Sequence, residues 1–387
     1  MGLWVTIAIW LLFVAATLRP PFRRGRPGFL IFIMTMTFNE IPVVLLAVFL
    51  LAITATAIDA ASSGGAGLEA AVAAALVVTG LVWIQLRTRS ARPTLEAALR
   101  DALGIEGRNL GGPGVDGRTE SHWLAGMLLP FQRRAKGVRR LRNVRYGPDS
   151  RAHRLDMYQC RRPRAGGPVL VHLHGGGFLQ GGKSREGVTL LNQLAVNGWL
   201  CLSANYRLRG AGAFPFPLED AKRVIAWVRE NAATHGVDPE QIFLMGASAG
   251  GHIAVSAALT PNLPRFQPGF ESADTTVRAA IALYGYLGSR SDDPESSPEA
   301  LANPDAPPMF IIHGGHDTMV PAADSRSVAA TLRAASRSVV AYAELPHTQH
   351  AFDLFASVRA RHTADAVESF LDWVRAGNGS KLEPPPQ

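Results

Sequence analysis

Apolar residues are distributed along this chain in two different ways. Near the start they form long runs, and from about residue 144 onward they form short runs alternating with helical spacings. Gly2 to Leu18 contains no charge and is followed by Arg19, Arg23, Arg24 and Arg26. Phe29 to Ile58 is apolar but interrupted by Asn39, Glu40 and Pro42, which leaves Ile41 to Ile58 as the cleanest span and Leu30 to Phe38 as an extension or re-entrant piece. Leu68 to Leu86 is a third run, with Glu69 at its edge. Each approaches the ~20 residues that cross a bilayer as a helix. A secretory leader would carry Lys or Arg ahead of its apolar run and a small-x-small cleavage site after it. The first run has neither, so it reads as a retained membrane helix. Glu40, beside a proline near a helix end, reads as interfacial in preference to an intramembrane functional carboxylate.

The later pattern is strand, turn and helix in alternation. Val169 to Leu173, Trp199 to Leu202, Ile242 to Met245, Met309 to Ile312 and Val339 to Leu345 are short apolar runs of strand length. Between them Ala221, Val224, Ile225 and Val228 fall at i, i+3, i+4 and i+7, and Val367, Phe370, Leu371 and Val374 repeat that spacing. Those positions line one face of a helix. Strands alternating with amphipathic helices predict an α/β domain whose mostly parallel sheet is covered by helices on both faces. The organisation expected is a transmembrane region over 1–86 holding a bundle of about three helices, a basic linker or interfacial segment over 87–140, a catalytic domain over 141–376 and a disordered tail over 377–387.

The chemistry sits at the ends of the strands. Gly246-Ala247-Ser248-Ala249-Gly250 follows one apolar strand and opens a helix-like run from Ile253 to Leu259. Two glycines around a serine on a strand-to-helix turn permit a strained backbone that lifts the hydroxyl clear of the sheet, as a nucleophile requires. Upstream, a strand runs into His174-Gly175-Gly176-Gly177, a glycine loop whose backbone N–H groups can approach a substrate oxyanion. Downstream, His313-Gly314-Gly315-His316-Asp317 ends another strand, and a further one leads to Pro346-His347-Thr348-Gln349-His350. Asp317 is the candidate acid and His350 the candidate base, with His347 its rival. Asp324 lies inside a helical stretch and is a poor alternative acid. His172 and His174 alternate on a strand like metal ligands, but the glycines that follow favour a structural His174 over zinc. No metal and no cofactor is expected.

These residues carry a family resemblance. The chain resembles the hormone-sensitive-lipase and feruloyl-esterase-like branch of the α/β-hydrolases, and within it the LipM-type membrane-anchored bacterial esterases. The matching pieces are Leu155-Asp156-Met157-Tyr158, His174 to Phe178, Ala204-Asn205-Tyr206-Arg207-Leu208, Phe214 to Pro217, Gly246 to His252, Gln267 to Glu271, and Glu344-Leu345-Pro346 with His350-Ala351-Phe352-Asp353. The resemblance covers about residues 141 to 376. It implies an α/β-hydrolase fold, a Ser248, Asp317, His350 triad in the family's chain order, and an oxyanion hole from the N–H groups of Gly176, Gly177 and Ala249. It also favours His350 over His347, because His350 is the one followed by Ala-Phe. The expected activity is hydrolysis of short- to medium-chain acyl esters, some of them lipid-derived. A formamidase, amidase or peptidase would use the same triad, and a catalytically silent membrane-bound scaffold is the reading from another class. The stretch from Gly288 to Pro307 is too short and too rich in Ser and Pro for a large helical lid.

Charge adds a location. Of the formal net charge of +8, residues 87–164 contribute +11, residues 1–86 +1 and residues 165–387 −4. No nucleic-acid-binding motif accompanies the basic stretch, whereas attraction to anionic lipid headgroups suits a position beside membrane helices. Trp123 to Phe131 beside arginines fits either a membrane interface or packing on the catalytic domain, and both readings stay open. Arginines follow the first and third apolar runs and are absent from 59–67, so the positive-inside rule puts the catalytic domain on the cytoplasmic face of a multi-pass protein. Two cysteines, Cys160 and Cys201, make no disulfide framework, and Cys201 reads as a core thiol.

Overall fold

The computed structural model describes residues 2–21, 25–62, 67–104, 123–131, 134–162, 165–183 and 185–377. Arg23 and Arg24, residues 63–66 of the loop expected over 59–67, the glycine-rich stretch after Gly104 and nearly all of the tail lie outside the described residues.

Eight strands form one sheet: β1 (Val138–Arg145), β2 (Arg154–Cys160), β3 (Gly167–Leu173), β4 (Leu200–Ala204), β5 (Val237–Ala247), β6 (Ala279–Leu283), β7 (Met309–Gly314) and β8 (Val340–Leu345), in spatial order β1-β2-β4-β3-β5-β6-β7-β8. β2 is antiparallel to both β1 and β4, and every other pairing is parallel. The central strands are mostly apolar because both faces are covered. Leu170, Phe243 and Met245 point into one core, with α5 (Ala91–Leu103), α7 (Val188–Val196) and α12 (Val358–Arg375). Val169, Val171, Ile242 and Leu244 point into the other, with α8 (Phe216–Glu230), α10 (Ala249–Leu259) and α11 (Ala322–Ala335). This period-two alternation splits each strand between two layers. Ala221, Val224, Ile225 and Val228 are buried on α8, and Val367, Phe370, Leu371 and Val374 on α12, as their spacing requires. Between Gly288 and Pro307 the one helical piece is a single turn, Pro294–Ser296.

The N-terminal part departs from a bundle of three simple spans. The helices are α1 (Gly2–Leu18), α2 (Gly25–Glu40), α3 (Pro42–Ser62) and α4 (Leu68–Arg87). Among the described residues one helical stretch, Leu68–Leu103, is long and apolar enough to cross a membrane. α1 is a shorter apolar helix, and α2 and α3 meet at a bend of 98° at Ile41. Pro42 causes the bend: it lacks an N–H for the helix ladder and disfavours helical geometry in the residue before it.

Two features of the segment 87–140 were hidden by its charge. α5 buries Leu95, Leu99 and Leu103 against β8 and α12, and the sheet begins at Val138, inside the segment expected to be linker. Residues 123–128 form a short helix, α6, whose Gly126 lies against the backbone of Ser357 and Val358, and Pro130 O accepts from Ala356 N at 2.7 Å. That segment packs on the α/β domain.

Candidate active site

Ser248 sits between β5 and α10 with φ 53° and ψ −117°, a conformation that side chains rarely adopt. The turn is tight enough that a Cβ on Gly246 would lie 1.9 Å from Gly250 O, and one on Gly250 would lie 2.1 Å from Leu173 O. Only glycine fits either position. Ser248 N donates to Leu283 O at 2.9 Å, tying the turn to the end of β6.

β7 and β8 end beside it and deliver two further groups. His350 Nε2 is 2.9 Å from Ser248 Oγ, and His350 Nδ1 is 2.6 Å from Asp317 Oδ2. Asp317 Oδ1 accepts from the backbone N–H groups of Met319 and Val320, both at 2.8 Å. Burial pushes the Asp317 carboxyl up, but the charge of His350 and hydrogen bonds from His313 and His350 outweigh it and hold the group well below the usual carboxylate range. It stays ionised next to an imidazole. His347 points elsewhere, its ring edge-to-face with His316 at 5.1 Å between centroids.

The glycine loop carries Gly176 at φ 127° and Gly177 at φ 62°. Among the described residues neither N–H has a protein acceptor. Ala249 is the first residue of α10, where N–H groups lack intrahelical partners and the helix dipole favours negative charge. Glu186 braces the loop by accepting from Gly175 N at 3.2 Å. His174 is structural: its Nδ1 is 2.7 Å from Gly175 O, its ring stacks on Tyr206 at 4.4 Å, and burial pushes it down to about 4. His172 and His252 are likewise buried and pushed down to about 3. Among the described residues no group of three or more His, Cys, Asp and Glu is placed to hold a metal ion.

What surrounds His350 was not visible in the sequence. Its ring is met edge-on by Tyr284 at 4.7 Å and by Phe32 of α2 at 5.9 Å. The neighbouring Gln349, wholly buried, uses all of its amide. Its Oε1 accepts from His350 N at 2.9 Å and from Thr318 N at 2.8 Å, while Nε2 donates to Thr318 Oγ1 at 3.0 Å and to Thr35 Oγ1 of α2 at 2.9 Å. One side chain thus joins the loop after Asp317, the loop before His350 and an N-terminal helix. Below it Glu40, expected to be interfacial, is buried and accepts from Arg359 Nη1 at 3.0 Å and from Ser357 Oγ at 2.6 Å. The N-terminal helices are therefore part of the wall around the candidate base.

The known proteins this chain is similar to include esterases. The model of the BD-FAE family matches residues 155–288. The probable carboxylic ester hydrolase LipM of Mycobacterium tuberculosis is 37% identical over 349 residues, covering 81% of this chain and 80% of its own. The chain belongs to the LipM family of carboxylic ester hydrolases. Esterase LipQ of the same organism is 39% identical over 311 residues, covering 72% of this chain and 73% of its own. Among solved structures, the butyrate-bound esterase Est2 of Thermogutta terrifontis aligns with TM-score 0.53 at 24% identity, over 64% of this chain and 97% of its own, a likeness of fold. Membership of the LipM family brings the class of reaction, an esterase of the serine-hydrolase kind.

Proposed function

We propose that this LipM-family chain is a membrane-anchored serine carboxylesterase in which Ser248, His350 and Asp317 act as the triad. The observation that carries the reading is the unbroken line of hydrogen bonds from Ser248 Oγ through His350 to Asp317 at 2.9 and 2.6 Å, with the nucleophile held at a strained turn. His350 Nε2 takes the Ser248 proton as Oγ attacks the ester carbonyl, and Asp317 holds the Nδ1–H tautomer and balances the imidazolium. The N–H groups of Gly176, Gly177 and Ala249 receive the oxyanion. Collapse passes the proton from His350 to the leaving alcohol and leaves an acyl-enzyme on Ser248, which a water activated by the same imidazole hydrolyses. The substrates are short- to medium-chain acyl esters, because the short segment 288–307 supplies no lid and α2 stands close against His350. A hydrolysis profile of the full chain across acyl lengths tests this: activity should peak at short to medium chains, and a rise to long chains with a jump at a lipid interface would overturn it.

Anchoring is read from α1, α3 and α4, which leave Trp4, Ile9 and Leu12, Leu50 and Leu51, and Val72, Leu76 and Trp83 exposed. Such apolar outer faces suit lipid. α2, turned through 98° from α3 and docked on the hydrolase, lies at the membrane surface on the catalytic side. With Arg19 before it, Arg26 in its first turn and Arg87, Arg89 and Arg92 at or after the end of α4, that side is cytoplasmic. A reporter fused after Gln387 checks it, and alkaline phosphatase activity there would contradict it.

A further inference from the structure

Where the N-terminal helices meet the hydrolase, the chain gathers nitrogen donors and leaves them without acceptors. Arg359 is wholly buried on α12. Its Nη1 donates to Asn39 O at 2.8 Å and to Glu40 at 3.0 Å, while its Nε and Nη2 have no hydrogen-bond partner among the described residues. The Nδ2 of Asn39, 1% exposed, is equally unpartnered, as are the Nδ1 atoms of His316 and His347, whose rings meet at 5.1 Å. Arg87 comes from the other side. It ends α4, the turn Thr88–Ser90 that follows packs on α12, and its charge reaches Arg359, His316 and His347. Its guanidinium makes no hydrogen bond or ion pair among the described residues.

The nearby acids are already engaged. Glu40 serves Arg359 and Ser357, and Asp317 serves His350, His313 and two backbone amides. A buried donor without an acceptor costs about 1–3 kcal/mol, and more when charged, and native interiors leave few such groups. Here several occur together, two of them on the Arg359 guanidinium, within reach of the like charge of the half-buried Arg87. Burial, together with the charges of Arg87 and Arg359, holds His347 down to about 4 and keeps His316 below its ordinary value, which marks the local field as positive.

We propose that this junction is an oxyanion-binding site, taking a phosphate or carboxylate group between Arg87 and Arg359 with Asn39, His316 and His347 as further donors. The planar fork of a guanidinium matches two oxygens of either group. His316 precedes Asp317 and His347 lies three residues before His350, so the anion is held beside the loops that carry the acid and the base. Its source is either an anionic lipid headgroup, level with the end of α4, or a soluble anion.

The test reads binding with the nucleophile removed, so it stands apart from the esterase reading. Full-length Ser248→Ala protein in neutral detergent is melted with increasing sodium phosphate, against sodium chloride at matched ionic strength, and separately in micelles doped with phosphatidylglycerol or phosphatidylcholine. Stabilisation by phosphate means a soluble anion fills the site. Stabilisation by phosphatidylglycerol alone means a lipid headgroup does. In either case Arg87→Gln should weaken the apparent affinity at least tenfold, and His347→Gln should weaken it in the same direction if Arg87→Gln fails to fold. No stabilisation by either anion, or the same stabilisation in wild type and variants, would overturn the proposal.

Discussion

Replacing Glu40 by alanine should damage the enzyme out of proportion to the distance in sequence between residue 40 and the catalytic loops. Glu40 and Arg359 are 3% and 0% exposed, and the carboxylate accepts from both Arg359 Nη1 and Ser357 Oγ. Removing it leaves a buried guanidinium facing a second one, Arg87. Breaking a buried pair by deleting one partner costs about 3–5 kcal/mol. At ~2–4 °C per kcal/mol for a domain of this size, melting should fall by roughly 6–20 °C. The loss should reach turnover as well, because α2 also carries Thr35, bonded to Gln349, and Phe32, packed on His350. We expect kcat for p-nitrophenyl butyrate in neutral detergent to drop at least tenfold. The double variant Glu40→Met with Arg359→Met buries no charge, so it should recover most of the stability. Wild-type melting and turnover in Glu40→Ala would refute the idea that α2 is locked to the catalytic domain by this pair.

Three further outcomes are expected at other positions. Gln349→Leu leaves the N–H groups of His350 and Thr318 without their acceptor, so kcat should fall by ten- to a hundredfold with KM little changed; unchanged kcat would remove Gln349 as a positioning residue. Gly176→Ala puts a Cβ 1.8 Å from Gln180 O and should cost on the order of 100-fold in kcat, whereas Gly177→Ala faces open space at φ 62° and should cost about 1–2 kcal/mol of stability at most; equal losses in the two variants would contradict the loop geometry. Burial pushes Lys222 down to about 7, so the unfolded chain binds more protons than the folded one between pH 7 and the ordinary lysine value. Stability should therefore rise with pH across that window by up to about 1.4 kcal/mol per unit, a slope that Lys222→Met should lose and whose persistence in the variant would refute the assignment.

What the sequence made legible was local. Gly246 is demanded by the backbone of Gly250 within the same turn, the G-x-S-x-G spacing marks Gly250 although what crowds it is Leu173 O of a distant strand, and the strands leading to Asp317 and His350 announce themselves by their apolar runs. The preference for His350 over His347 needed the family's Ala-Phe, since both histidines follow the same strand. The contacts around the base were not legible because they are long-range: Gln349 and Thr35 stand 314 residues apart, and Glu40 and Arg359 319 apart. A lone glutamate beside Pro42 says nothing about a partner on the last helix. β1 was masked by its own arginines. Arg139, Arg142 and Arg145 face solvent on an edge strand, where charge discourages pairing with other chains, and Arg140 reaches across to Asp156. Read as a run of charge they suggest a linker, although Val138 is buried at the start of the strand.

The most direct test of the central claim is the site of covalent capture by a fluorophosphonate. The full-length protein is treated, digested and mapped by mass spectrometry, alongside Ser248→Ala, His350→Ala and His347→Ala. One adduct is expected, on Ser248, absent from Ser248→Ala, nearly lost in His350→Ala and retained in His347→Ala. An adduct on another residue, or undiminished labelling of Ser248→Ala, would contradict that claim.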